Sequence, residues 1–164
     1  MVIILMGVSG SGKTTLGKRL AAELGWPFYE GDDFHPQANI EKMARGEALT
    51  DDDRWPWLDA LRAQIQTLLA QGKPAVISCS ALKRAYRARL MSTHPDVHVV
   101  YLRGTYALMQ QRIAARHGHF MPAKLLMSQF ETLEEPDTSE NALLVDVAQP
   151  PAVLVSEIRR ALAL

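Results

Sequence analysis

Four short, mostly apolar runs punctuate the chain, at Val2 to Met6, Ala75 to Cys79, Val97 to Leu102 and Leu143 to Val147. Continuous apolarity, without the alternation of a half-exposed sheet, predicts strands buried on both faces. Pro27-Phe28-Tyr29 is a shorter fifth candidate. Between these runs the period changes to that of a helix. Leu16, Leu20, Ala21 and Leu24 recur at helical spacing within Thr14 to Leu24, and Leu58, Leu61, Ile65, Leu68 and Leu69 do so before Gly72 ends their helix. Further helices are expected at Lys83 to Met91, Tyr106 to Arg116 and Val153 to Leu162, the last entered through Pro150-Pro151. Strands alternating with helices predict an α/β fold, a parallel sheet covered on both faces, with ligands bound beyond the C-terminal strand ends.

Two stretches depart from this scheme. Glu30 to Trp57 is polar, turn-rich and dense in charge, and Arg112 to Pro122 is basic and broken by Gly118 and Pro122. Function is expected in both, because loops held by a rigid scaffold carry most binding groups. The first strand also leads straight into Gly7-Val8-Ser9-Gly10-Ser11-Gly12-Lys13-Thr14. This is the P-loop pattern GxxxxGK followed by Ser or Thr, in the strand, loop and helix setting it requires. Its glycines let the backbone curl so that successive N–H groups, from Ser9 through Thr15, face an anion at a helix N-terminus. Lys13 then reaches the β- and γ-phosphates of a nucleotide, and the Thr14 hydroxyl is a ligand of the accompanying Mg2+.

Composition narrows the class. At 164 residues and 48% hydrophobic, the chain suits one soluble domain. Lys and Arg number 18, as do Asp and Glu, so the field of a nucleic-acid binder is missing from the total charge. No basic region precedes the opening apolar run, and no stretch approaches roughly 18 apolar residues. The expectation is a cytoplasmic protein with neither nucleic acid nor membrane as partner. Cys79 has no partner for an intramolecular disulfide, suits a reducing compartment, and reads as a small buried hydrophobe. No repeat or linker divides residues 1–164.

Charged groups cluster where the second strand ends. If Phe28-Tyr29 closes a strand near the P-loop, Glu30, Asp32 and Asp33 emerge at the edge that holds the phosphates. A carboxylate there can accept a hydroxyl proton during attack on phosphorus, or hold Mg2+ through its water shell. Asn39, Lys42 and Met43 fall on a short helix ended by Gly46, and Asp51-Asp52-Asp53 reads as a helix N-terminus. Arg54 can grip a carboxylate in a bidentate manner. Trp55 and Trp57 read as packing residues rather than a sugar platform. Lys83 and Arg87 are four residues apart on one helix face, which on spacing alone reads as a solvated basic surface. Arg112 and Arg116 lie one turn apart, where a closing segment would bring them onto phosphoryl oxygens. His117 and His119 lack the further ligands of a zinc site.

Taken together, the P-loop, Gly31-Asp32 with His35-Pro36 and Asn39, Lys42-Met43, Asp51 to Leu58, Cys79 to Lys83, Tyr86-Arg87, Gly118 to Pro122, Ser128 to Glu131 and Leu133-Glu134 resemble bacterial gluconate kinase, in one collinear order over nearly the whole chain. That family is similar in turn to shikimate kinase and the nucleoside monophosphate kinases. The resemblance implies a three-layer P-loop kinase fold with a five-stranded parallel sheet, a substrate-binding region at about 30–58 and a lid at about 112–124. It implies transfer of the γ-phosphate of ATP to the 6-hydroxyl of D-gluconate, with Mg2+, usually in a homodimer. Lys13, Asp32 and Arg116 become the catalytic candidates, with Asp32 the base. Gly7, Ser9, Gly10, Ser11, Gly12, Lys13, Thr14, Thr15, Arg112 and Arg116 become the nucleotide contacts. Asp32, His35, Lys42, Arg54, Lys83, Arg87, His119 and Gln129 become the substrate contacts. Glu30 stands where many members carry Asp, and Thr14 where many carry Ser.

Other classes share the P-loop. A regulatory GTPase would need an Asn-Lys-x-Asp element, which this chain lacks. A nucleotide-binding module without chemistry would have no use for Asp32 beside Arg54. A shikimate or nucleoside monophosphate kinase is the nearest alternative, since a carboxylate grip beside a phosphate serves several acids.

Overall fold

The structure is a computed structural model that describes residues 1–90, 92–115 and 123–164. Strand β1 (Val2–Met6) enters helix α1 (Lys13–Leu24) through the glycine loop, and β2 (Phe28–Glu30) leads through a 3-10 turn at Gly31–Phe34 into α2 (Gln37–Ala44). Then come α3 (Asp51–Ala70), β3 (Ala75–Ser78), α4 (Arg84–Arg89), β4 (Val97–Arg103), α5 (Tyr106–Ala114), α6 (Ala123–Thr132), β5 (Leu143–Asp146) and α7 (Pro151–Ala161). The five strands are parallel in the order β2-β3-β1-β4-β5. β1 pairs with β3 on one side and β4 on the other, with Val2 opposite both Ala75 and Val97. Strand order reverses around β1, so its C-terminal end is where a ligand crevice forms.

Successive side chains of a strand point to opposite faces, and the two cores follow that period. Val2, Ile4 and Met6 pack with Ile77, Val99 and Tyr101 against Trp57, Leu58, Leu61 and Ile65 of α3 and Tyr86 of α4. Ile3 and Leu5 pack with Val76, Val100 and Leu102 against Leu16 and Leu20 of α1, Met109 of α5, and Val155 and Ile158 of α7. All five β1 residues are buried, as the continuous apolar run requires. The edge strands differ: β2 is half-buried throughout, and β5 leaves Leu144 and Asp146 exposed, because an edge strand has no neighbour on one side.

The polar stretch after β2 proves to be ordered. The 20-residue α3 starts at Asp51 and runs through Pro56, so it includes the whole acidic run. A proline inside a helix costs about 3 kcal/mol. Leu58, Leu61, Ile65 and Leu68 are each at most 3% exposed, and burial at about 1.5–3 kcal/mol per side chain outweighs that cost. The helix is also well begun: Thr50 accepts from the Asp53 amide, while the Asp53 carboxylate accepts from the Thr50 amide. Helix α6 was not expected from the pattern. Its Leu126 is buried, whereas Met127 is 46% exposed and contributes no core packing. Among the described residues no helix is long and apolar enough to cross a membrane.

Candidate active site

The loop after β1 is built for an anion. Gly10 and Gly12 hold φ of 84° and 92°, in the left-handed region that favours glycine. A Cβ at Gly10 would also meet the Met109 carbonyl oxygen at 3.1 Å. Gly12 begins α1 without any side-chain cap, so the first-turn amides, Thr14 and Thr15 among them, are left for a ligand. Lys13 Nζ donates to the carbonyl oxygens of Gly7 and Val8, at 2.9 and 3.0 Å. Its charge is thereby held over the loop that a phosphate would enter. The Ser11 hydroxyl is buried without a hydrogen-bond partner among the described residues.

Thr14 Oγ1 donates to Glu30 Oε2 at 2.7 Å, and the other Glu30 oxygen accepts from the Ser78 hydroxyl. Ser78 Oγ in turn accepts from the Gly31 amide at 3.1 Å. The ends of β2, β3 and the P-loop are thus laced together, and the longer arm of Glu30 spans the distance that the middle strand β3 imposes. Gly31 is required there: a Cβ would lie 2.0 Å from the Ser78 carbonyl oxygen. The hydroxyl and carboxylate at Thr14 and Glu30 are hard oxygen donors, a set that fits Mg2+ better than a softer metal.

Asp32 follows on the 3-10 turn. Surrounding protein raises its carboxyl above the ordinary Asp range, Lys13 opposes this, and Glu30 and Asp33 add to it. Three quarters of its side chain nonetheless faces solvent, which limits the desolvation penalty on its charged form. Behind it, His35 is buried and stacks on Trp57 with ring centroids 4.2 Å apart. Trp57 Nε1 donates to the Gly31 carbonyl oxygen at 2.7 Å, so the indole packs and anchors the turn together. Burial, aided by the Arg54 cation, lowers the His35 imidazole to about 4. Unfolded chains, titrating near the ordinary 6.5, therefore take up this proton first as pH falls. The contribution is complete above about pH 6.5, is lost toward pH 4, and is at most about 3 kcal/mol. Denaturant midpoints should fall over that window in the native chain and fall less in His35→Gln; equal slopes would refute the buried neutral imidazole.

The basic candidates divide into two groups. Arg54 and Lys83 converge over the Tyr86 ring, each 5.6 Å from its centroid. Lys83 Nζ donates to both Asp51 oxygens at 2.9 Å, Arg54 Nη1 donates to Tyr86 Oη at 3.2 Å, and Tyr86 Oη donates to Asp51. Hydrogen bonds from Tyr86 and Lys83 hold the Asp51 carboxyl below its usual range. The sequence pattern gives Asp51 only the role of a helix start and Tyr86 only a place in the family resemblance, so neither is expected at the site from sequence alone. Arg87 departs from expectation. It is 1% exposed and gives its donors to Glu140 and to the Ala81, Leu82 and Glu134 carbonyl oxygens, so it is a structural clamp rather than a substrate contact. Lys42 likewise pairs with Asp53 at 2.7 Å, joining α2 to the start of α3.

On the other side of the P-loop lies a cavity of about 280 Å³, bordered by Gly12, Thr15, Arg112, Val147, Gln149 and Pro151. Arg112 Nη2 donates to the Val147 carbonyl oxygen at 2.5 Å and forms one wall. The cavity adjoins the phosphate loop and so suits the nucleoside end of a nucleotide. Gln129 meets the P-loop rather than the acceptor side, its Oε1 accepting from the Ser9 amide at 2.7 Å. Cys79 is buried and its thiol is pushed up to about 12 by that burial, which leaves it inert. Arg116 and His119 lie outside the described residues.

Comparison with known proteins adds the following. The family model described as an AAA domain matches residues 2–136. The thermoresistant gluconokinase of Escherichia coli (strain K12) is 45% identical over 150 residues, covering 91% of this chain and 86% of its own. The gluconokinase of Gluconobacter oxydans (strain 621H) is 44% identical, with 96% and 89% covered. A crystal structure of a gluconokinase from Sinorhizobium meliloti 1021 matches with a TM-score of 0.86 at 49% identity, over 99% of this chain and 91% of that one.

Proposed function

This chain belongs to the gluconokinase family, and from that premise we propose that it transfers the γ-phosphoryl group of ATP to the 6-hydroxyl of D-gluconate, giving 6-phosphogluconate and ADP. The observation that carries this reading is the convergence at one sheet edge of the phosphate loop, the open Asp32 carboxylate and the Arg54 and Lys83 cations. The acceptor's 6-oxygen attacks the γ-phosphorus as the bond to the β,γ-bridging oxygen breaks, and Asp32 takes the hydroxyl proton. Lys13 exchanges its carbonyl partners for phosphate oxygens. Arg54 and Lys83 hold the gluconate carboxylate. Thr14, with Glu30 behind its hydroxyl, would hold Mg2+, which when bound neutralises phosphate charge.

The finer assignments belong to the same proposal. Residues 30–58 form the acceptor side and residues 112–124 the lid of one domain, from which Arg112 and Arg116 reach the nucleotide and His119 the acceptor. The protein works as a cytoplasmic homodimer on a small molecule, with no nucleic acid or membrane partner. A panel of gluconate, shikimate, other aldonates and AMP in a coupled ATP-consumption assay tests the reading. Gluconate should give the highest kcat/KM, and shikimate or AMP in first place would overturn it.

Arg54→Ala tests the carboxylate grip. Loss of one partner of a desolvated charge pair costs about 2–5 kcal/mol. Asp51 already neutralises Lys83 and lies 3.9 Å from Arg54, so the low end applies here. Gluconate KM should rise about thirtyfold, on the scale of about 1.4 kcal/mol per tenfold, with little change in kcat. A rise confined to the ATP KM would move Arg54 to the nucleotide side.

A further inference from the structure

Asp32 poses a geometric problem. Its side chain is 75% exposed, so packing does not select the rotamer in which a general base must wait for its proton. The solution lies one turn further on, where a chain of donors ends on the imidazole of His35.

The chain begins at a group whose role is unambiguous. The Asp53 carbonyl oxygen only accepts, and an amide atom of Asn39 lies 2.7 Å from it, so that atom is the donor Nδ2. The same Nδ2 lies 3.2 Å from His35 Nδ1. An amide nitrogen has only protons to offer, so His35 Nδ1 presents its lone pair. The proton of a neutral ring then resides on Nε2, and Nε2 is the atom that faces Asp32 Oδ1, at 3.8 Å. The ring cannot turn over without losing Asn39, and Trp57 stacks flat on it at an interplanar angle of 16°. The groups facing this histidine are Asp32 from the 3-10 turn, Asn39 from α2, and Trp57 and Arg54 from α3.

We propose that His35 is a positioning residue for phosphoryl transfer: a neutral imidazole, locked by Asn39 and Trp57 as the Nε2–H tautomer, it donates to one oxygen of Asp32 and leaves the other to receive the acceptor's hydroxyl proton. The inference rests on the reading of Asp32 as the base. At 3.8 Å the contact is longer than a hydrogen bond, and a turn of the exposed carboxylate closes it; catalytic hydrogen bonds commonly tighten only when substrate binds. A neutral donor has an advantage over a cation in this place. It orients the carboxylate without discharging it, so Asp32 keeps its basicity. Burial and Arg54, which hold the imidazole well below its usual pKa, keep it in that form.

Two substitutions separate the roles of the two ring nitrogens. The amide of His35→Gln reaches the position of Nε2 and can still donate to Asp32, while that of His35→Asn reaches only the position of Nδ1. With ATP and gluconate, His35→Asn should lose about 10- to 100-fold in kcat, and His35→Gln should recover most of it, with both gluconate KM values within about threefold of the native chain. Equal losses in the two variants, or an effect on gluconate KM alone, would overturn the proposal, the latter by making His35 a substrate contact. Melting temperatures show whether each variant folds. Long-range 1H–15N spectra of the unliganded native chain give an answer independent of any substrate, the His35 signal being the one of five histidines missing from the His35→Gln spectrum. The neutral Nε2–H pattern at neutral pH is expected; an Nδ1–H tautomer or an imidazolium would overturn the proposal. If that pattern appears but gluconate is not phosphorylated, the functional reading has failed and not the tautomer.

Discussion

Asp32→Asn is expected to lower kcat by roughly 10^2 to 10^4-fold, the range that general-base catalysis contributes, while ATP affinity and the melting temperature stay near those of the native chain. The amide keeps the shape of the carboxylate but cannot take the 6-hydroxyl proton. A loose phosphoryl-transfer transition state puts part of the burden on positioning rather than basicity, so the lower half of the range is the better expectation. The structure supplies a control in the next residue. Asp33 shares the turn and the charge, yet it has no place in the arrangement of His35, Trp57 and Gly31 that supports Asp32. Asp33→Asn should change kcat by less than about threefold, as substitutions outside a catalytic unit do. Equal losses in the two variants, measured at saturating ATP and gluconate, would remove Asp32 from the role of base.

Lys13→Ala should be at least as damaging. Removing a single neutral donor from a developing negative charge costs about 10^2 to 10^3 in kcat, and here a full positive charge is lost beside the transferring group. The loss belongs in kcat at saturating gluconate, because the interaction strengthens as charge spreads over the phosphoryl oxygens. Lys13 also bonds the Gly7 and Val8 carbonyl oxygens, so the P-loop could relax in the variant. Nucleotide titration of Lys13→Ala separates the two effects, and Lys18→Ala, an exposed lysine on the same helix, controls for net charge. An unchanged kcat would refute the assignment.

Much of this site was legible from local pattern. The P-loop announces itself within eight consecutive residues, and the strand before it and helix after it satisfy the motif's context. The sheet was equally open to reading, because β1 and β3 are buried throughout and β4 nearly so. The short edge strand β2 was less so, while β5 reads as a run buried on both faces and yet exposes Leu144 and Asp146, since one neighbour is missing. Helix α3 is legible in two pieces, the acidic run as a helix start and the apolar period from Leu58 onward. The capped start at Thr50 and Asp53 and the continuation through Pro56 join them into one helix.

The cations show where such reading ends. Helical spacing predicts one shared face for Lys83 and Arg87, but Lys83 is the extended residue that caps α4 and the two side chains go to different partners. Arg87 finds Glu140, 53 residues further along, and is buried with it. Lys83 finds Asp51, 32 residues earlier, and stays beside Arg54 at the open edge. Lys42, expected at the substrate, ties two helices together. Glu30 has a longer arm than an aspartate, and that length is what lets it reach Thr14 and Ser78 at once. The sequence by itself determined the sheet, the phosphate loop and the acidic turn, because these depend on hydrophobic period and backbone freedom over a few neighbouring residues. Tertiary structure alone decided which charges remain for a ligand and which way His35 presents its proton, because a charge in a folded protein is defined by its partners, and here those partners arrive from distant segments of the chain.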